Sequence, residues 1–95
     1  MMYNYEQMKP ELFTEQGNAT LIAIRDEARR LLSEAGAFRA SKAWRKARGD
    51  SWLMLAALDY LVERGDIREW NHPSGGQAMD QDRVFTHGEN WIDEY

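Results

Sequence analysis

Hydrophobic residues recur at helical spacing in two segments of the chain. Between Asn18 and Ala35 they fall every three or four positions with charged residues opposite, which predicts an amphipathic helix ending at Gly36. Thr14 is a candidate cap for a longer helix, although Gly17 within that extension disfavours helix. A second helix is predicted from Ser51 to Arg64, and its stretch WLMLAAL is apolar on every side.

Shorter elements are predicted around these helices. Ala37–Arg39 fits a short strand, and residues 41–48 fit a helix that begins at Ser41 and carries Lys42, Arg45 and Lys46 on one face. After Gly65 the periodicity changes to that of strands. Residues 67–70 and 83–86 therefore predict a hairpin around the turn-rich segment 71–82.

This order of elements resembles the winged-helix variant of the helix-turn-helix. The resemblance is most specific in ALDYLVERGDIREW, where Ala57, Leu58, Leu61, Gly65 and Ile67 match core positions of the family. It implies an α+β, mainly α fold: a winged-helix domain of three helices and a β-hairpin wing over residues 18–87. Residues 1–17 would be an N-terminal extension and residues 88–95 an acidic aromatic tail. The motif GDSW and the small size also resemble bacteriophage and prophage proteins, which suggests that kind of source.

Composition limits the class of protein. A chain of 95 residues with 43% hydrophobic residues is long enough for one domain with its own core. It has no cysteine for a disulfide or a thiolate metal site, no segment of about 20 apolar residues, and no apparent signal peptide. We therefore expect a small cytoplasmic domain with no membrane partner.

Charge is distributed unevenly around a formal net charge of −4. Residues 37–49 contain five basic and no acidic side chains, whereas residues 50–95 contain three basic and ten acidic ones. The basic segment is the feature that most favours nucleic acid, because the helix before the recognition helix of a helix-turn-helix crosses the phosphate backbone. The alternative is a solvated helix face paired with acids of the same chain.

Residues for catalysis are sparse, and we predict neither an enzyme nor a cofactor. His72, His87, Asp80 and Asp82 are potential metal ligands, but their spacing matches no ligand motif, so no metal site is predicted. Ser51 lacks the Gly-x-Ser-x-Gly context of a nucleophile and suits a helix cap. The expected function is therefore binding.

Two binding functions follow. In the first, the apolar Ser51–Arg64 helix contacts a host or phage protein, as an inhibitor or adaptor of a nucleic-acid machine, through Trp52, Leu53, Ala56 and Tyr60. The alternative for this helix is burial by the chain itself, tails included. In the second, the chain is a transcriptional regulator that binds double-stranded DNA through Arg39, Lys42, Arg45, Lys46, Arg48, Ser51, Arg64 and Arg83. The first turn of the helix has few side chains that read bases, which favours the protein partner.

Aromatic residues outside the three helices suggest self-association. Trp70 and Trp91 lie in such segments, and Tyr5, Met8 and Leu12 follow helical spacing near the start of the chain. These side chains either cap the domain or form a homodimer through a terminal segment, and we predict the homodimer.

Overall fold

The computed structural model describes residues 3–47, 50–71 and 83–90, with only the backbone of Lys46 and Asn71. The fold is α+β and mainly helical, with a small three-stranded antiparallel sheet. The helices are α1 (Tyr5–Met8), α2 (Glu15–Ala35), α3 (Ala40–Ala43) and α4 (Ser51–Arg64), with 3-10 turns at Lys9–Phe13 and Trp44–Lys46. The strands are β1 (Ala37–Arg39), β2 (Ile67–Asn71) and β3 (Val84–His87).

Helix α2 begins three residues before the predicted start at Asn18. The hydroxyl of Thr14 accepts a hydrogen bond from the Gly17 amide at 3.0 Å, as an N-cap does. The first turn requires a glycine at position 17 because the chain packs closely there. A Cβ on Gly17 would lie 1.7 Å from the carbonyl oxygen of Glu11. At the other end, Gly36 has a φ of 77° and closes the helix as predicted.

Helix α3 is shorter than predicted, and Ser41 is not its N-cap. The Ala40 amide donates a hydrogen bond at 2.9 Å to the carbonyl of Arg83, next to β3, so the helix starts directly from the sheet. It tightens into the 3-10 turn at Trp44, and Ala47 is extended. Helix α4 has the predicted limits, with Asp50 as its side-chain cap.

The sheet has the strand order β1-β3-β2, which joins the short strand to the hairpin. Phe38 of β1 lies opposite Phe85 of β3, and their rings stack with centroids 5.4 Å apart. Both rings are buried, as is Ile67 of β2, so this face of the sheet packs against the helices. The predicted strands are confirmed within one residue at each end, whereas residues 72–82 lie outside the described part of the chain.

The hydrophobic core lies between α2, α4 and the inner face of the sheet. Its fully buried large side chains are Leu12, Ile24, Leu32, Leu58, Leu61, Ile67 and Phe85. Leu12 belongs to the 3-10 turn Lys9–Phe13, so residues before α2 contribute to the same core as the rest of the fold. No helix in the described ranges is long and apolar enough to cross a membrane.

The close approach at Gly17 provides a first test. We expect Gly17→Ala to lower the free energy of unfolding by about 1–3 kcal/mol, because the added methyl group must push the Lys9–Phe13 turn away from α2. The control is Gln16→Ala at an exposed neighbouring position. Urea unfolding of both variants gives the comparison, and equal stability of the two would contradict the packing described for Gly17.

Candidate functional site

The side of α4 predicted to bind a protein is covered by the chain itself. Leu53 is 7% exposed and Ala56 is fully buried, and both lie in the core cluster. Trp52 and Tyr60 are half-buried. The prediction that these four residues form an exposed contact patch is therefore wrong for Leu53 and Ala56. A domain this small needs the apolar side chains of its central helix to build its core.

Residues 3–13, here called the N-terminal segment, supply much of this cover. The Tyr3 ring meets the Trp52 ring edge to face at 6.4 Å, and the Phe13 ring meets the Tyr60 ring at 5.6 Å. Tyr5, Met8 and Leu12 also pack in or against the core, so these three residues act as a cap within the chain.

Polar contacts fix the N-terminal segment on α4. The Tyr3 hydroxyl donates to Asp59 at 2.7 Å, and the Tyr5 hydroxyl donates to Glu63 at 3.3 Å. The Lys9 ammonium pairs with the same Glu63 at 2.7 Å. The hydrogen bond from Lys9 lowers the pKa of Glu63. Burial and the neighbouring carboxylate raise the pKa of both tyrosines, which further favours the protonated hydroxyls that donate these hydrogen bonds.

The side chain of Arg83 is largely buried and is bound by carboxylates of the chain. Its guanidinium donates to Glu69 of β2 through two nitrogens, at 2.9 and 3.1 Å, and to Asp59 of α4 at 2.8 Å. It also lies 5.2 Å from the centre of the Phe85 ring, and only 13% of its side chain is exposed. Burial opposes the charge, but the bonds to Glu69 and Asp59 outweigh it and raise the pKa of Arg83. Carboxylates of the chain thus already engage the Nε and Nη2 groups of Arg83, which disfavours its predicted role in DNA binding.

Most other described cations are also paired. The ion pairs join Lys9 to Glu63, Arg25 to Asp26, Arg30 to Glu27 and Glu34, and Arg64 to Asp66. Four exposed cations differ: Arg39, Lys42, Arg45 and Arg68 pair with no acid of the described ranges. We call these four the basic face.

The basic face surrounds the outer side of the sheet. Phe38 and Ile67 point into the core, so their neighbours Arg39 and Arg68 lie on the opposite face of their strands. Strands β1 and β2 flank β3 and are therefore about 10 Å apart. Lys42 and Arg45 follow on α3 and the adjoining 3-10 turn.

An apolar groove of about 430 Å³ lies beside two of these cations, Arg39 and Lys42. It is lined by Leu31, Ala37, Phe38, Arg39, Lys42, Trp70 and Val84. The Trp70 side chain is 66% exposed, at a β-bulge where the register shifts between Glu69 and Asn71. A bulge re-aims the side chain of its extra residue, so the indole faces solvent beside the basic face.

The remaining DNA-binding candidates are scattered. The Lys46 side chain and Arg48 lie outside the described part of the chain. Ser51 is exposed at the start of α4, and Arg64, at its end, pairs with Asp66 at 3.4 Å and lies 5.8 Å from the Tyr60 ring. Of the eight candidates, the structure thus places Arg39 and Lys42 on one groove, and Arg45 follows Lys42 by three positions in the adjoining 3-10 turn.

The basic face contains one residue that the sequence analysis does not identify. Arg68 stands between Ile67 and Glu69 in the regular part of β2, so strand alternation places its side chain on the face opposite Ile67. The sequence signal is present, but it requires knowing which face of the hairpin packs on the core.

The described residues contain no cluster of three or more His, Asp and Glu side chains suited to a metal ion. His87 is exposed on β3, whereas His72, Asp80 and Asp82 lie outside the described ranges. Comparisons with protein-family models, curated proteins and solved structures found no match to this chain.

The enclosure of Arg83 provides a second test. We expect Arg83→Met to lower the free energy of unfolding by about 3 kcal/mol, because Asp59 and Glu69 then face each other without a cation. Arg25→Met removes an arginine from an exposed pair and should cost less than about 1 kcal/mol. Urea unfolding measures both, and a loss for Arg83→Met no larger than for Arg25→Met would refute this account of the pair.

Proposed function

We propose that this chain is a non-catalytic winged-helix module that binds nucleic acid through the phosphate backbone at its basic face. The observation that carries the proposal is the separation of cations. The other described cations are largely paired with acids, whereas Arg39, Lys42, Arg45 and Arg68 are exposed and pair with no acid of the described ranges. Exposed cations without such partners are what a polyanion requires.

The arrangement of elements supports the winged-helix part of the proposal. A long helix, a short strand, a short helix, a second long helix and a strand pair follow one another in the chain. The first strand pairs with the last, which gives the order β1-β3-β2. In the winged-helix interpretation α4 is the recognition helix and β2 and β3 flank the wing.

The contacts of α4 favour binding to the backbone over reading of bases. A recognition helix reads base edges with polar side chains near its N-terminus. Here the N-terminal segment lies against Trp52, Asp59 and Glu63 on one side of α4, and Leu53 faces the core on another. We therefore propose weak dependence of affinity on nucleotide sequence, which narrows the expected role of a transcriptional regulator.

Trp70 favours binding of single-stranded over duplex nucleic acid. An exposed indole beside arginine and lysine is the combination by which proteins hold single strands, where the ring stacks on a base and the cations bind the phosphates. A duplex offers the same phosphates but no free base face. We propose that both forms bind and that the single strand gains from Trp70.

The protein-partner hypothesis loses its original surface, since Leu53 and Ala56 are buried. The predicted homodimer also loses three of its candidate contacts, because Tyr5, Met8 and Leu12 pack within the chain. A homodimer stays a prediction, with exposed Trp70 as the remaining described aromatic candidate.

The salt dependence of binding tests the basic face. We expect the affinity for a fluorescent duplex oligonucleotide to fall as the salt concentration rises. The slope of the logarithm of the association constant against the logarithm of the salt concentration should be about −0.9 for each phosphate contact. The double variant Arg39→Gln, Lys42→Gln should reduce the size of that slope by about 2 and weaken binding at low salt. Fluorescence polarisation across a salt series measures both quantities.

The matched control is Lys9→Gln, Arg30→Gln, which changes the net charge equally but removes cations with close acid partners, Glu63 for Lys9 and both Glu27 and Glu34 for Arg30. It should leave the slope unchanged. Equal effects of the two double variants would show that only total charge matters, and absence of binding by the folded wild type at low salt would refute the proposed function.

Substitution of Trp70 tests the stacking contribution. We expect Trp70→Ala to weaken binding of a single-stranded oligonucleotide by about 1–3 kcal/mol, because the base loses its stacking partner. Binding of a duplex with the same sequence should change little. Polarisation titrations of both forms at one salt concentration provide the comparison, and an equal loss for the two would argue against stacking.

A further inference from the structure

A second surface lies away from the basic face. It is a cleft of about 310 Å³ between α2, the 3-10 turn Lys9–Phe13 and α4. Its walls include Phe13, Ile22, Arg25, Arg29, Tyr60 and Arg64. None of its lining residues belongs to the groove beside Trp70. We call it the arginine cleft.

The arginine cleft exposes large apolar side chains. Phe13 is 61% exposed and Ile22 is 40% exposed, and among the described residues only Trp70 shares this property with them. The Phe13 ring is held by its edge-to-face contact with Tyr60 at 5.6 Å. Two exposed hydrophobic side chains on one cleft form an apolar surface that a ligand can cover.

The same cleft is rich in positive charge. Three arginines line it, and Asp66 is the one acidic residue among its described lining. Arg25 pairs with Asp26 at 3.3 Å, but both side chains are largely exposed, at 40% and 55%. Such pairs contribute little, so a carboxylate of a ligand can compete for the Arg25 guanidinium.

Arg64 provides a second guanidinium on the opposite side. It lies 5.8 Å from the Tyr60 ring, and its Nε atom is 3.4 Å from Asp66, a long contact for an ion pair. The Arg64 side chain is 58% exposed, so its guanidinium can donate hydrogen bonds to a further carboxylate. Arg25 on α2 and Arg64 on α4 thus flank the apolar surface.

We propose that the arginine cleft binds an acidic peptide segment of a partner protein. An aromatic or large aliphatic side chain of that segment packs against Phe13 and Ile22, and flanking carboxylates bind Arg25 and Arg64. Charge complementarity and the apolar floor both point to this ligand. A phosphate backbone would use the arginines alone and would leave Phe13 and Ile22 exposed to water. The inference is independent of the proposed nucleic-acid binding.

The probe is a fluorescein-labelled, end-blocked peptide in which a central Trp and Leu are flanked by Asp and Glu. We expect saturable binding to the full chain by fluorescence polarisation. A control peptide with Asn and Gln in place of the acids should bind at least about tenfold more weakly, equivalent to about 1.4 kcal/mol. A second control, with Ser in place of Trp and Leu, should lose affinity similarly.

Variants of the protein localise the binding. We expect Ile22→Ser, Arg25→Glu to weaken peptide binding at least about tenfold without loss of the circular dichroism of the fold, since both residues lie at the surface. The matched variant Trp70→Ser, Arg45→Glu changes the same kinds of side chain at the other surface. It should keep peptide affinity and lose oligonucleotide affinity, which separates failure of this inference from failure of the proposed function.

Several outcomes would overturn the proposal. Absence of peptide binding, or equal binding of the acidic and amide peptides, removes the charge argument. Displacement of the peptide by an oligonucleotide assigns the cleft to nucleic acid. Binding that appears only after Trp91→Ser, Asp93→Asn identifies the chain's own acidic segment as the occupant. A dimer by light scattering that Ile22→Ser, Arg25→Glu dissociates identifies a second copy instead.

Discussion

The guanidinium of Arg83 connects the parts of this small fold. It binds Glu69 of β2 and Asp59 of α4, and Asp59 in turn accepts the Tyr3 hydroxyl from the N-terminal segment. The Arg83 carbonyl also accepts the first amide of α3. One residue therefore joins the sheet to both neighbouring helices and to the start of the chain. Because its side chain is largely buried beside two carboxylates, its charge is compensated within the protein.

The sequence predicts the long elements because their signals are local. Helix α4 has the predicted limits, since an Asp cap precedes it and Gly65 follows it with a φ of 84°. Helix α3 does not, because its first amide bonds to Arg83, a partner 43 positions away that no local pattern reveals. The predicted start of α2 is wrong for a similar reason. Gly17 disfavours a helix by propensity, but a glycine is needed there for the close contact with Glu11.

The candidate site could be predicted only in part. Arg39, Lys42 and Arg45 stand out as a basic run in the sequence, whereas Arg68 joins them through the pairing of β1 and β2 with β3. The sequence shows that α4 is apolar but not what covers it. That depends on the N-terminal segment, whose aromatic side chains have equally good sequence explanations as a cap and as a dimer contact. The contacts of Tyr3 with Trp52 and of Phe13 with Tyr60 show that this segment covers α4, and the homodimer stays a prediction.

The pairing of most cations outside the basic face has a kinetic consequence. The chain carries a formal net charge of −4, so a polyanion at a distance meets a repulsive particle. Among the described cations, Arg39, Lys42, Arg45 and Arg68 would attract it within about one Debye length, roughly 8 Å at physiological ionic strength. Under the proposed function, productive encounters would begin in a narrow range of orientations, and electrostatic steering would rotate the protein before contact. The charge pattern would then control how the protein approaches a nucleic acid as well as its affinity.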